Sequence, residues 1–244
     1  MNEQSIGTAL VTGASSGIGA AVAKELAAAG WRVVFAARRA DRMAELVKPF
    51  GERAIALPLD VTDKAAVATI LDRLPVEWRS IDVLVNNAGH DVGGRRRFDE
   101  GSIDEWAATI ETNTIGMMRV THAIVGGMLE RRRGHIVNIG SIFGLEAHAG
   151  SVAYCASKYA VNGFSKVILD DYRGKGVRVT QILPGVVRTE LSDTRWHGDR
   201  AKVDEFYDRF PVVLEPGDVA RSVRFAIEQP PHVTISDLVI VPAA

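Results

Sequence analysis

The chain has 244 residues, 47% of them hydrophobic, and its 29 basic and 30 acidic residues leave a formal charge of -1. That length buries a sizeable core, and the balanced charge gives no global field for nucleic acid or an anionic membrane, so any charge-based recognition is local. A single cysteine, Cys155, excludes an intramolecular disulfide framework, no apolar run reaches about 18 residues, and the start MNEQSIGTALVTG lacks a secretory pattern, so the chain is expected to be soluble and cytoplasmic.

Ile6 to Thr12 reads as a buried strand, Gly17 to Gly30 as an Ala-rich helix ended by Gly30, and Arg32 to Ala37 as a second strand, which together make a βαβ unit. The pattern repeats with a helix from about Asp41, a strand at Ala54 to Pro58, a helix from Asp63 to Leu74 and a strand at Ile81 to Val85. Short strands separated by helix-length segments require crossovers, hence a parallel sheet. Beyond Gly101 a long helical stretch runs to Arg133 with a break near Asn113; a strand at His135 to Ile139, a helix from Val152 to Arg173 and a strand at Arg178 to Leu183 follow. The stretch Pro184 to Pro216 is less regular and predicts a mobile helical flap over about 186–215, before a helix from Pro216 to Glu228 and a last strand from Thr234 to Val241. Without a repeat or a linker-like break, residues 1–244 read as one domain.

In TGASSGIG, the glycines Gly13, Gly17 and Gly19 fall where strand one turns into helix one, letting the backbone approach a pyrophosphate favoured by the helix N-terminus; a tight structural turn is the alternative. Strand two ends FAARR, with Ala37 where an acidic residue would grip a ribose 2′-hydroxyl. Arg38 and Arg39 instead suit a 2′-phosphate, Arg38 being the better placed, unless both are ordinary solvated charges opening the next helix. Asp60 could accept from an adenine amino group or cap a helix. Downstream, Tyr154 and Lys158 lie four apart and share a helix face. A cation about 4 Å from a phenol contributes roughly 4 kcal/mol at an effective dielectric near 20, enough to bring a pKa near 10 toward neutrality before desolvation opposes it. An acid/base and a dinucleotide site in one α/β pattern point to hydride transfer, although the pair alone also fits an ordinary amphipathic helix.

In order along nearly the whole chain, TGASSGIG, NNAG at Asn86 to Gly89, Asn113, Ser141, Tyr154 with Lys158, and PGVVRT from Pro184 to Thr189 resemble the motifs of the short-chain dehydrogenase/reductase family. The resemblance implies an α/β fold of the doubly wound Rossmann type, about seven parallel strands with helices on both faces, and a homotetramer or homodimer formed through two long helices. It implies Tyr154 as acid/base, Lys158 contacting the nicotinamide ribose and lowering the tyrosine pKa, Ser141 orienting the substrate carbonyl and Asn113 supporting a proton-relay water. The implied cofactor is NADP(H), held by Gly13, Ser15, Ser16, Gly17, Ile18 and Gly19 with Arg38 and Arg39. Asp60 and Val61 line its adenine pocket, Asn87, Ala88 and Gly89 its middle, and Pro184, Gly185, Val187 and Thr189 its nicotinamide end.

The substrate pocket is expected between the NNAG turn, the segment from Ser141 to Tyr154 and the flap, which nominates His90, Phe143, His148, Val186, Arg195, Trp196 and His197. Arg195 matches a carboxylate or sulfonate in two-point geometry, or is a surface arginine. The segments LPVEW, ERRRGHIVNIGS and TRWHGD, with a C-terminus lacking a glycine-rich ending, resemble the NADP-dependent reductases of small 3-hydroxy acids, their semialdehydes or sulfoacetaldehyde. Rival readings are a reductase of a larger ketone, a sugar-nucleotide epimerase or dehydratase, and a dinucleotide-binding sensor or scaffold without turnover. Only about 60 residues follow Pro184, few for a nucleotide-sugar domain, and a sensor need not keep Ser141, Tyr154 and Lys158 together. Arg95 to Arg97 and Arg131 to Arg133 read as solvated charges, the six histidines show no ligand spacing for a metal, and Cys155 points about 100° away from Tyr154, toward packing.

Overall fold

The computed structural model describes residues 6–243. Strands β1 (Thr8–Thr12), β2 (Arg32–Ala37), β3 (Ala54–Pro58), β4 (Val83–Asn86), β5 (Gly134–Ile139), β6 (Val177–Pro184) and β7 (Asp237–Ile240) form one sheet in the order β3-β2-β1-β4-β5-β6-β7. Every neighbouring pair is parallel, so each connection crosses over, and each carries at least one α-helix. Alternating side chains go to opposite faces of the sheet. Ala9 and Val11 of β1 pack with Val22 and Leu26 of α1 (Gly17–Ala28) and Val219 and Val223 of a helix at Pro216–Ile227. Leu10 packs on the other side with Val120, Ile124 and Met128 of a helix at Met117–Glu130. A sheet buried on both faces in this order is the doubly wound Rossmann arrangement.

Between these, α2 spans Ala40–Val47 and α3 only Lys64–Ala68. The helix expected to reach Leu74 ends early: Asp63, rather than Asp60, caps it by accepting from the amides of Ala65 and Ala66, and the Thr69 hydroxyl bonds back to the Ala65 carbonyl. The turns that follow still bury Ile70 and Leu74. The break expected near Asn113 is a widening instead. Helix α4 (Ile103–Ile110) runs through a π-helical turn at Glu111–Gly116 into α5 (Met117–Glu130) without interruption. Helix α6 covers Val152–Asp171, and β7 is half the length that Thr234 to Val241 suggested.

The flap region carries two short helices, α7 (Leu191–Arg195) and α8 (Arg200–Tyr207), ahead of α9 (Pro216–Ile227). Val203, Phe206 and Tyr207 give it a small core of its own, packed by Val186, Trp196, Phe210 and Val213, and a bridge between Val187 and Leu214 closes its base. Strand order reverses between β1 and β4, where connections leave in opposite directions and open a crevice at the strand carboxyl ends. The segments that follow β1 through β6 supply Gly13, Arg38, Asp60, Asn87, Ser141 and Gly185 to that rim.

Candidate active site

One cavity at the rim, about 260 Å³, is lined by Gly13, Ser15 to Ile18, Ala37 to Arg39, Asp60, Val61, Asn87 to His90 and Thr189. Its floor is the turn from β1 into α1. Gly17 adopts a φ of 52°, which favours glycine, and a Cβ on Gly19 would stand 2.4 Å from the Gly13 carbonyl oxygen. Ser16, at the N-cap of α1, is extended and makes no side-chain cap bond, so the first-turn amides have no side-chain acceptor there and face an anion naturally. Asn87 ties the NNAG turn to the loop by donating from Nδ2 to the Thr12 carbonyl at 3.0 Å.

The two arginines after β2 behave differently. Arg39 donates from Nε to Ser15 Oγ at 3.0 Å, from Nη2 to Ser16 Oγ at 2.6 Å and from Nη1 to Glu190 at 2.7 Å. Arg42 reaches the same carboxylate at 2.6 Å. Arg38 makes no side-chain hydrogen bond or ion pair among the described residues and lines the cavity with its charge directed at Asp60 and His90. Burial raises the Asp60 carboxyl, but two hydrogen bonds from Thr62 and the Arg38 charge outweigh it and hold the group below the usual range. The residues present fit a dinucleotide with an extra phosphate: free amides at a helix N-terminus, hydroxyls at Ser15 and Ser16, and basic side chains at the ribose end.

A second cavity, about 370 Å³, adjoins the first and brings Ser141, Tyr154 and Lys158 together with His90, Phe143, His148, Pro184, Gly185, Val186, Val187 and Arg195. Ser141 follows β5 in an extended conformation, its Oγ accepting from the Phe143 amide at 3.2 Å. Asn113 does not line this cavity. It is buried in the π-turn, where Oδ1 accepts from the His90 amide at 2.9 Å and Nδ2 donates to the His90 carbonyl at 2.9 Å and to Ser157 Oγ at 3.1 Å. A π-turn sets one residue off the α-helical register, and this one aims Asn113 at the chain after NNAG.

The electrostatics of Tyr154 depart from the sequence expectation. Burial, reinforced by the Asp91 charge, pushes its phenol up to about 12, with Arg195 and the Ser141 hydroxyl opposing this only in part. Lys158 does not bring it to neutrality, because Nζ lies over the tyrosine ring face, 5.6 Å from the centroid, and donates to the Ile139 carbonyl at 2.9 Å. Burial brings the ammonium itself down to about 8.

On the flap side three expectations need correction. Arg195 is a buried ion-pair partner and no surface residue: Nε donates to Asp91 Oδ2 at 2.6 Å, and both side chains are under 10% exposed. Trp196 lies outside the cavity lining, packing on Phe206 with centroids 5.3 Å apart in the flap core. His197 pairs with Glu105 on α4 at 3.2 Å, also away from the cavity. Arg95, read as a solvated charge, is exposed as expected and also lines the cavity, with its guanidinium over the rings of Phe143 and Phe206. Phe206 and Phe210, which line this cavity, Asp91 behind Arg195 and Glu190 at the first cavity are neighbours of the site that the sequence did not nominate. The i, i+4 spacing of the two phenylalanines was the available signal; the ion pairs join residues 104 and 151 apart and left none.

Residues 7–200 match the family described as short chain dehydrogenase. The NADP-dependent 3-hydroxy acid dehydrogenase YdfG of Escherichia coli O6:H1 is 40% identical over 234 residues, covering 96% of this chain and 94% of that protein. The NADP-dependent 3-hydroxy acid dehydrogenase of Schizosaccharomyces pombe is 36% identical, with 97% and 92% covered. Among solved structures, the closed form of a serine dehydrogenase complexed with NADP+ superposes with a TM-score of 0.93 at 39% identity, covering 96% of this chain and 94% of that one.

Proposed function

The chain belongs to the short-chain dehydrogenase family, and from that membership and the site geometry we propose that it is an NADP(H)-dependent oxidoreductase interconverting a small 3-hydroxy acid and its carbonyl form. Small semialdehydes and sulfoacetaldehyde fall in the same substrate class. The observation that carries this reading is the shared wall. Ile18, Asn87, Gly89, His90, Thr189 and Leu191 line both the cavity at the glycine loop and the cavity holding Ser141, Tyr154 and Lys158. When bound, the nicotinamide supplies or accepts the hydride. The chain supplies everything else. Ser141 and Tyr154 direct hydroxyls at the carbonyl oxygen and stabilise the negative charge that develops there, and Tyr154 gives its proton to that oxygen in reduction. Lys158 holds a positive charge beneath the phenol, and Asn113 fixes the backbone at His90 that separates the two cavities.

A homotetramer or homodimer and a cytoplasmic location belong to the same reading. Exposed Met118 on α5 and Val152, Tyr159 and Val167 on α6 support subunit contact, and no helix among the described residues is long and apolar enough to cross a membrane. The test is NADPH oxidation with small aldehydes and 2- and 3-oxo acids, by wild type and Tyr154→Phe. Loss of a positioned proton donor costs roughly a hundred- to ten-thousand-fold in turnover. NADPH binding, followed by its fluorescence, should persist in the variant; full turnover without the phenol hydroxyl sinks the mechanism.

A further inference from the structure

The cationic side chains of the catalytic cavity outnumber what the proposed chemistry uses. Arg95, Lys158 and Arg195 line it, and no carboxylate does. Arg195 is 5% exposed and paired through Nε to Asp91, yet its Nη1 is buried without a hydrogen-bond partner. Asp91 lies behind the guanidinium and outside the lining, so the pairing fixes Arg195 while leaving one donor edge unclaimed. Arg95 makes no side-chain hydrogen bond or ion pair among the described residues. Its guanidinium and that of Arg195 each sit 5.3 Å from the Phe206 ring centroid, so one aromatic ring holds both cations. Asp91 pairs with Arg195 alone, Arg95 reaches the cavity from the exposed surface without a carboxylate partner, and the buried Nη1 of Arg195 is a donor whose lack of a partner is costly until a ligand supplies an acceptor.

We propose that Arg95 and the free Nη1 edge of Arg195, assembled around Phe206, form an anion subsite that binds the carboxylate of the substrate while Ser141 and Tyr154 engage its hydroxyl or carbonyl oxygen. This rests on the dehydrogenase reading for the oxygen end and on the cavity's own side chains for the anion end. A planar carboxylate accepts from the two arginines at once, a match that a neutral amide of the same shape lacks. The subsite makes Arg95 a specificity-determining residue, supplied by the segment after β4 rather than by the flap.

The experiment compares 3-hydroxypropanoate with 3-hydroxypropanamide, its neutral isostere, as substrates with NADP+ for wild type, Arg95→Gln and Arg96→Gln. Arg96 is the next arginine of the same run, exposed like Arg95, but it does not line the cavity. Wild type should favour the acid, and Arg95→Gln should lower the acid-to-amide ratio of kcat/KM about 10- to 100-fold, chiefly through KM, as expected for one charge-assisted contact. Arg96→Gln should leave the ratio unchanged; an equal fall in both variants would mean a diffuse field and overturn the subsite. An unchanged ratio in Arg95→Gln overturns it too. In parallel, calorimetric titration of the NADP+-saturated protein with 3-hydroxypropanoate reads binding without turnover. Binding that Arg95→Gln weakens, with no oxidation by any variant, keeps the subsite and rejects the dehydrogenase reading; no binding by wild type rejects the subsite.

Discussion

Tyr154 keeps its proton. With ionisation pushed up to about 12 by burial, the phenol is protonated throughout the neutral range, which suits proton donation in reduction and requires proton loss before alcohol oxidation. Between about pH 6 and pH 7, below the value near 8 at which Lys158 loses its charge, kcat/KM for oxidation should therefore rise roughly tenfold while that for reduction stays flat. Initial rates in both directions across that window check it, and a flat oxidation profile would remove Tyr154 as the base. The spacing of Tyr154 and Lys158 was legible in the sequence, as was the shared helix face. The direction of the ammonium was not, because the Ile139 carbonyl that draws it away comes from β5, a strand nineteen positions earlier in the chain. Arg195 repeats the lesson: residue type suggested an anion ligand, and only the fold shows that Asp91 occupies one of its edges.

At the level of elements, strands β2 and β3 were readable to the residue because apolar runs bounded by turn residues fix them, whereas α3 and β7 came out shorter than their patterns. Past Ala68 the backbone tightens into turns, the Ile70 amide bonding to Val67 and the Leu74 amide to Leu71, and β7 is an edge strand with alternate residues exposed. The π-turn could be felt as an irregularity near Asn113 but not recognised, since nothing in ETNTIG specifies the wider turn apart from the partners that Asn113 meets. The tether between flap and glycine loop was also invisible. Glu190, just before α7, is shared by Arg39 and Arg42, whose hydrogen bonds outweigh burial and hold its carboxyl below the ordinary range. These pairs are more than a third exposed, so they contribute little to stability, about 0–1 kcal/mol. Their effect on the cofactor is more direct, because Glu190 takes up charge that a 2′-phosphate would otherwise meet. Glu190→Gln should tighten NADPH about two- to fivefold and leave NADH nearly unaffected, as read by fluorescence titration.

For the whole molecule, acid sensitivity is built into the sheet. His135 on β5 is buried, and burial with the nearby Arg178 charge brings it down to about 3. Thr180 donates to the Ile235 carbonyl at 2.7 Å and so accepts from His135 Nε2 at 2.8 Å, which leaves Nδ1 bare and no place for a second proton. The unfolded chain takes up the proton first, near 6.5; stability is complete above that pH and is lost as pH falls toward about 3. At pH 5 the loss from this group is about 2 kcal/mol. Urea unfolding at pH 7 and pH 5 should show it, and in His135→Gln this contribution to the difference should vanish whatever that variant's stability at pH 7. Chain-long motif order made the architecture legible from the sequence, since each strand end carries one signature. How the two cavities join did not follow from that order. Ile18, Asn87, Gly89, His90, Thr189 and Leu191 stand between them as a common partition, so whatever occupies one side reshapes the other. Thermodynamic reciprocity then binds the pair: the factor by which NADP+ changes the hold on a hydroxy substrate is the factor by which that substrate changes the hold on NADP+. The positive ring of NADP+ and the neutral ring of NADPH make that factor differ between the two redox forms, so an abundant hydroxy substrate raises the affinity for one coenzyme more than for the other.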